Sequence, residues 1–411
     1  MTRQQGTDAS DGSVAEPGFA IRVVDAIDKL PAGEWNRLAL VGDATGKDAA
    51  SAFPGNPFLL HAFLKSLEDS GCVGGRTGWL PQHLVLEDPD GTAIGFAPAY
   101  LKGHSQGEYV FDHGWADAFE RAGGRYYPKL QISVPFTPAT GPRLLVGSET
   151  GADVRRLALC EGLKAYVGQT GVSSAHATFL TPEDLAVMDA DDFLHRTDQQ
   201  FHFRNEGFAA YEDFLGTLAS RKRKVLRKER REALAPGITV EWLTGADITE
   251  EAWDAFFDFY NDTGSRKWGR PYLNRKFFRL IGERMPERIV LMMARREGRY
   301  IAGALNLVGG DTLYGRYWGC IEEHPFLHFE VCYHQAIDYA IAHKLAVVEA
   351  GAQGEHKLAR GYAPVTTHSA HYIRHLGLRQ AVEDHLDFER REVERRQEIL
   401  ARHTPFRKGE D

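Results

Sequence analysis

Apolar and polar positions follow the same order in two separate blocks of the chain. Residues 83–112, HLVLEDPDGTAIGFAPAYLKGHSQGEYVFD, and residues 289–319, IVLMMARREGRYIAGALNLVGGDTLYGRYWG, each read as a strand, a tight turn closed by glycine and a second strand. A glycine-containing loop and a third strand rich in aromatics complete each block. A helical period and a short apolar strand follow in both: DVRRLALCEGLKAYV with SSAHATFL, and FEVCYHQAIDYAIAH with LAVVEAG. Ile94 and Ile301 hold equivalent places about half a chain apart, which predicts a tandem duplication of one mixed α/β unit. The first copy carries an extra segment, roughly 113–146. Upstream, Phe58, Leu59, Phe63, Leu64 and Leu67 recur at helical spacing and predict an amphipathic helix. The expected division is a tail over 1–18, one unit over 19–195, a second over 196–385, and a charged C-terminal helix and tail over 386–411. That helix begins near Glu383, and Phe388, Val393 and Leu400 are its sparse apolar anchors.

A length of 411 residues exceeds what one ordinary core holds, in keeping with two units. Hydrophobic residues at 43% and charged residues at 26% place the chain among ordinary globular proteins. The net charge of −8 argues against whole-protein attraction to nucleic acid or anionic membrane and leaves room for a local basic patch. Cys72, Cys160, Cys320 and Cys332 are widely spaced, without CxxC, and sit among apolar neighbours, so buried reduced thiols are expected. The N-terminal residues lack a signal-peptide pattern and no 18-residue apolar run follows, so a soluble, cytoplasmic protein is expected.

Several longer stretches carry a resemblance: YYPKLQISVPFTPATGPRLL (126–145), FLGTLASRKRKVLRKERR (214–231), KWGRPYL (267–273), LYGRYWGC (313–320), LHFEVCYHQAIDYAI (327–341) and EAGAQGEHKLARGYAPVTTHSAHYI (349–373). In these the sequence resembles the bacterial FemAB-like family of N-acyltransferases and peptidoglycan biosynthesis proteins, a branch of the GNAT superfamily related to the Fem-type peptidyltransferases. The resemblance implies a tandem duplicated GNAT-like fold, with mixed sheets flanked by helices. It also implies transfer of an acyl or aminoacyl group from an activated donor, acyl-CoA or aminoacyl-tRNA, to an amine acceptor, with a cell-envelope precursor as one such acceptor. No tightly bound cofactor is expected. A ligand-binding module that keeps the fold without turnover is the alternative. One departure bears on the donor: where many GNAT enzymes hold the coenzyme A pyrophosphate with a glycine-rich turn before the central helix, residues 316–330 read RYWGCIEEHPFLHFE, with Glu322 and Glu323 and no glycine pair.

The first candidate site is AQGEHKLARGY, leaving the C-terminal end of a buried strand, where open α/β sheets gather ligands. Gly351 and Gly354 let the backbone turn and approach a substrate. His356 or Glu355 offers general-base chemistry, and Lys357 and Arg360 offer cations for an anionic donor. The second is the helix following the aromatic strand: His328 and Glu330 are expected to line a cleft beside Tyr314, Arg316 and Trp318, which strict alternation places on one sheet face. Asp112, His113 and Trp115, at an expected strand end, form a candidate second wall. His368, His371 and His375 invite a metal reading, but a β-branched context puts His368 and His371 on opposite faces, and no metal is expected. Residues 221–231, RKRKVLRKERR, hold eight cations against one Glu. They are a solvated face or a phosphate-docking surface for tRNA, while DNA is not an expected partner.

Overall fold

The computed structural model describes residues 18–40, 55–268, 271–351 and 354–407, without the side chains of 265–268 and 355. Most of the expected tail, 1–17, and the chain end, 408–411, lie outside them. The strands are β1 (Ala20–Val24), β2 (Trp79–Pro81), β3 (His83–Glu87), β4 (Ala93–Ala97), β5 (Ala99–Lys102), β6 (Lys129–Ile132) and β7 (Ser174–Thr178). They continue as β8 (Leu194–Arg204), β9 (Thr239–Thr244), β10 (Ile289–Arg296), β11 (Arg299–Gly309), β12 (Thr312–Cys320), β13 (Val347–Glu349) and β14 (Ala363–Ile373). β1, β3 and β4 form a small antiparallel sheet, and the other strands form a single mixed sheet in the order β2-β5-β6-β7-β14-β8-β13-β12-β11-β10-β9.

Each half contains one parallel pair joined by a crossover helix, as such a pair requires. In the first half β6 pairs with β7 around the helix Ala152–Thr170; in the second β12 pairs with β13 around residues 327–342. The third strand of the first half differs from expectation. Residues 107–112 form no strand, and the place is taken by β5 and by β6, which lies inside the segment read as extra. Gly103 and Gly107 break the extended run. Asp112 then precedes the helix His113–Arg121 and does not end a strand.

The centre of the sheet departs from a simple side-by-side tandem. β8, which leaves the first half, pairs with β13 of the second, while β14, the last strand of the second half, pairs with β7 of the first. β8 and β14 pair antiparallel with each other over nine residues, from Ala363↔His202 to His371↔Leu194. A division at 195/196 therefore falls inside β8. The C-terminal helix runs from Leu376 to Arg402, starting seven residues before Glu383, and packs against β8 and β14. Its start follows from His375, whose ring accepts the Leu378 N–H as an N-terminal cap.

Side chains above and below the sheet form separate cores. On one face of the second half Phe58, Phe63, Trp253, Phe256 and Phe278 pack together with Tyr314. On the other, Phe201, Phe203, Leu313, Val348 and Ile337 pack with helix 327–342. Because β8 and β14 are the edge partners of the opposite halves, separately expressed fragments split at residue 192 or 205 should each expose unpaired strand edges and fail to give dispersed amide NMR spectra. The whole chain should unfold in one cooperative urea transition; an independently folded half would contradict this.

Candidate active site

β12 and β13 stay hydrogen-bonded through Tyr314↔Glu349 and then diverge, opening a mouth in the sheet. Glu349 in turn sits opposite His202 on β8. Residues facing each other in register point to the same side, so Tyr314, Glu349 and His202 form one row. The His202 ring nitrogen Nε2 lies 3.8 Å from the Glu349 carboxylate and 3.3 Å from the Gln200 amide oxygen. Glu349 is 9% exposed, and among the described residues no group hydrogen-bonds its carboxyl. Burial pushes that carboxyl up to about 8, against the pull of Arg316 and Arg143. Burial also drives His202 down to about 4, so it faces Glu349 as a neutral imidazole at pH 7.

Arg316 reaches this row through an irregularity in β12. Leu305 pairs with Tyr317 and Asn306 with Gly315, so Arg316 is the extra residue of a bulge. The bulge breaks strict alternation: Tyr314 and Trp318, expected on one face, belong to the cores on opposite faces. The Arg316 guanidinium donates from Nη2 to the Phe136 carbonyl at 2.8 Å, and the Tyr317 hydroxyl donates to the same oxygen at 3.0 Å. Its Nε–H is buried without a partner among the described residues.

Phe136 belongs to the segment 133–142, SVPFTPATGP, which the first half lays across the mouth of the second. Gln200 donates to the Pro138 carbonyl at 2.6 Å and Asn56 to that of Thr140 at 2.9 Å. Phe136 itself adopts a left-handed backbone (φ 59°), and its ring stacks on Tyr272 at 4.8 Å. The equivalent mouth of the first half is filled. Arg143, fully buried, donates to the carbonyls of Thr178, Ala139, Gly141 and Pro142. Its own loop thus occupies the space after β7.

Of the other residues nominated from the sequence, His328, His356 and Lys357 lie on the opposite face from Tyr314. His356 is exposed, with Nε2 3.0 Å from the Tyr333 hydroxyl, and the His328 ring lies between Trp318 (5.2 Å) and Tyr333 (5.4 Å). Burial, helped by Arg360 and Lys357, lowers the His356 imidazole below its usual range. Lys357 is buried and donates to the carbonyls of Ala350 at 2.5 Å and Gly351 at 2.9 Å, tying down the exit from β13; burial lowers its ammonium to about 8. Gly354, at φ 104°, has no room for a side chain, because a Cβ would meet the His356 ring at 2.3 Å. Glu355 starts the short helical turn Glu355–Arg360, and its side chain lies outside the described residues.

Two nominated residues, Glu330 and Arg360, are engaged in buried ion pairs in this conformation. Glu330, fully buried, accepts from Arg230 at 3.0 and 2.9 Å and from Gln335 at 2.7 Å. Arg360 grips Glu229 at 2.8 and 2.6 Å and donates to the His356 carbonyl at 2.7 Å. Glu330 opens a π-helical turn, Glu330–His334, which brings His334 within 2.9 Å of the same Glu229. Asp112 and Trp115 stand apart from both faces of the mouth. Lys129 donates to Asp112 at 2.6 Å, and Trp115 packs edge-on at 5.0 Å against His371, which sits opposite His176 in the middle of β7. His371 pairs with His176 at 2.7 Å and His368 with His195 at 3.0 Å. Among the described residues no three His, Cys, Asp or Glu side chains converge as a metal site.

The chain belongs to the FemAB-like family, described as peptidoglycan biosynthesis/recognition, whose family model matches residues 26–408. No curated protein matches it. Among solved structures it is similar to FemX, with a TM-score of 0.52 at 14% identity over 86% of this chain and 98% of that chain. A conserved protein of unknown function from Bacteroides thetaiotaomicron is similar at a TM-score of 0.50 and 10% identity, over 86% of this chain and 100% of that one. The fold is thus the mixed α/β one that FemX shares. Among the described residues no helix is long and apolar enough to cross a membrane.

The missed residue is Glu349. It reads in sequence as the last residue of an apolar strand, and only the row formed with Tyr314 and His202 marks it. A carboxyl whose folded pKa lies above its unfolded value contributes stability at low pH that is lost as pH rises toward 8. Glu349→Gln, which removes this titration, should therefore raise the thermal midpoint relative to wild type at pH 8 and give little gain at pH 4.5. An equal change at both pH values would show that the carboxyl does not carry the raised pKa.

Proposed function

We propose that the protein transfers an acyl or aminoacyl group to an amine at the mouth between β12 and β13, in the service of peptidoglycan biosynthesis. The observation that carries the reading is Glu349: a carboxyl with a pKa of about 8 at the opening of the sheet. Placed there, it is matched to an amine that must lose a proton near neutral pH. In this reading the acceptor enters from the face of Tyr314, His202 and the 133–142 segment, and the donor lies on the face of His356 and Tyr333.

Glu349 takes a proton from the ammonium or the attacking amine, and the nitrogen lone pair bonds to the donor carbonyl carbon. The carbonyl electrons move onto oxygen, where the Arg316 Nε–H, buried without a partner among the described residues, is an available donor. Collapse re-forms the carbonyl and breaks the bond to the donor's thiol or hydroxyl, which receives a proton through Tyr333 and His356. Lys357 holds the β13 exit in place for this, and Arg316 faces the anionic part of a substrate. On the donor face a cavity of about 240 Å³ is lined by Trp318, Cys320, Glu322, Glu323, His324 and His328. Glu322 is already paired there with Arg296, Arg299 and His324, so it is the lack of a glycine pair at 316–330 that favours aminoacyl-tRNA or another donor over acyl-CoA bound in the usual GNAT manner.

Purified protein incubated with labelled acetyl-CoA, or with aminoacyl-tRNA, and a panel of peptidoglycan-type amines should transfer the label to an amine. Ligand binding that raises the melting temperature without any transfer would favour the non-catalytic module. Glu349→Gln should lower kcat by roughly 10²–10⁴-fold with little change in donor KM, as loss of a general base does. His356→Ala should lower kcat while leaving the thermal midpoint near wild type, because the side chain is exposed. Wild-type rates in both variants would remove this mouth from the chemistry.

A further inference from the structure

The basic helix Ser220–Leu234 divides cleanly into two sides. Leu226, Glu229 and Ala233 are buried, and Glu229 and Arg230 bind Arg360 and Glu330, so the inner side is fixed to the turn that borders the mouth. On the outer side Arg221, Lys224, Lys228 and Arg231 follow at intervals of three and four residues, all exposed, and make one stripe about 15 Å long. Arg227 flanks it. Among the described residues, Glu212 pairs with Arg227 and Glu232 lies 3.4 Å from Lys228. Val225, within the stripe, is 52% exposed. The chain end extends the same charge, since Arg407 donates from its backbone N–H to Thr217 and from Nε to the Leu218 carbonyl, next to the start of the helix.

We infer that this face docks on an anionic lipid bilayer. The concentration of cations in a protein of net charge −8 gives it a sign opposite to the rest of the surface. A bilayer surface asks for several cations in one plane and accepts an exposed aliphatic side chain among them, which this helix provides. Residues 220–235 contain no aromatic on which nucleic-acid bases would stack, and this argues for lipid over RNA. The rigid link through Glu229 and Arg360 means that docking holds the mouth at a fixed attitude to the membrane.

The test is sedimentation of the full chain with vesicles of phosphatidylcholine alone or with 30 mol% phosphatidylglycerol, at about 50 and 300 mM salt. Binding should require the anionic lipid and weaken at the higher salt. Each Lys or Arg near such a surface is worth roughly fivefold in partitioning, so Lys224→Gln/Lys228→Gln should bind on the order of twentyfold more weakly. The variant Arg221→Glu/Lys224→Glu/Lys228→Glu/Arg231→Glu should not bind, and the circular dichroism of both variants should match wild type. The neutral pair keeps the test valid if the charge-reversed variant misfolds. Equal binding to neutral vesicles, no binding to anionic vesicles at low salt, or unchanged binding by the folded double variant would each overturn the proposal. So would tighter binding to bulk tRNA than to anionic vesicles at the same salt.

Discussion

The exchange of β8 and β14 at the centre of the large sheet is the constraint on which the rest depends. Backbone groups in a sheet interior must be paired, and β7 and β13 each find their second partner only in the strand supplied by the other half. The exchange fuses two units into one hydrogen-bonded body and brings their mouths side by side. It also places His202, from β8, against Glu349, and it lets the 133–142 segment of the first half reach Arg316 of the second. A tandem of two independently closed sheets would put none of these groups together.

The duplicated mouths have diverged in how they treat charge. In the first, Arg143 spends its donors on carbonyls of its own loop, and burial lowers it to about 10 without opening a cavity. In the second, the carboxyl of Glu349 takes the corresponding end of the parallel strand, with the His202 ring 3.8 Å away. Burying a carboxyl whose nearest ionisable partner is the neutral His202 ring, at 3.8 Å, costs stability. Such a cost retained beside a β-bulge and a left-handed Phe136 is the pattern of a site kept for chemistry. The ion pairs of Glu229, Glu330, Arg230 and Arg360 behave differently: each charge there has a partner, and together they brace the π turn and the β13 exit from behind. Their burial is structural support for the site.

Much of the fold was legible in the sequence, because periodicity is a local property. The short apolar runs at 83–87 and 289–296, buried on both faces, the helical spacing at 61–69 and 153–167, and the repeated order of elements are all written in neighbouring residues. The similarity at 313–320 and 349–373 likewise pointed to the family to which the chain belongs. Residues 107–112 misled because their aromatics resemble a strand, whereas Gly107 and the left-handed Tyr109 turn the chain there. Arg316 was placed by assuming unbroken alternation, and a bulge is set by the partner strand, which no local pattern reports. Glu330 and Arg360 looked like free reactive groups for a related reason. Their partners, Glu229 and Arg230, lie at least 100 residues away in the chain.

The sequence by itself determined the two α/β repeats, the glycine-bearing exit from β13 and the basic run at 221–231, since each is written in neighbouring residues. Tertiary structure alone decided that β8 and β14 change places, that one mouth is filled and the other keeps a buried carboxyl, and that half of the basic helix turns inward. These outcomes depend on which distant backbone and side-chain groups compete for the same partner, and on how far burial removes a charge from water. Neither quantity is a property of any short stretch of chain.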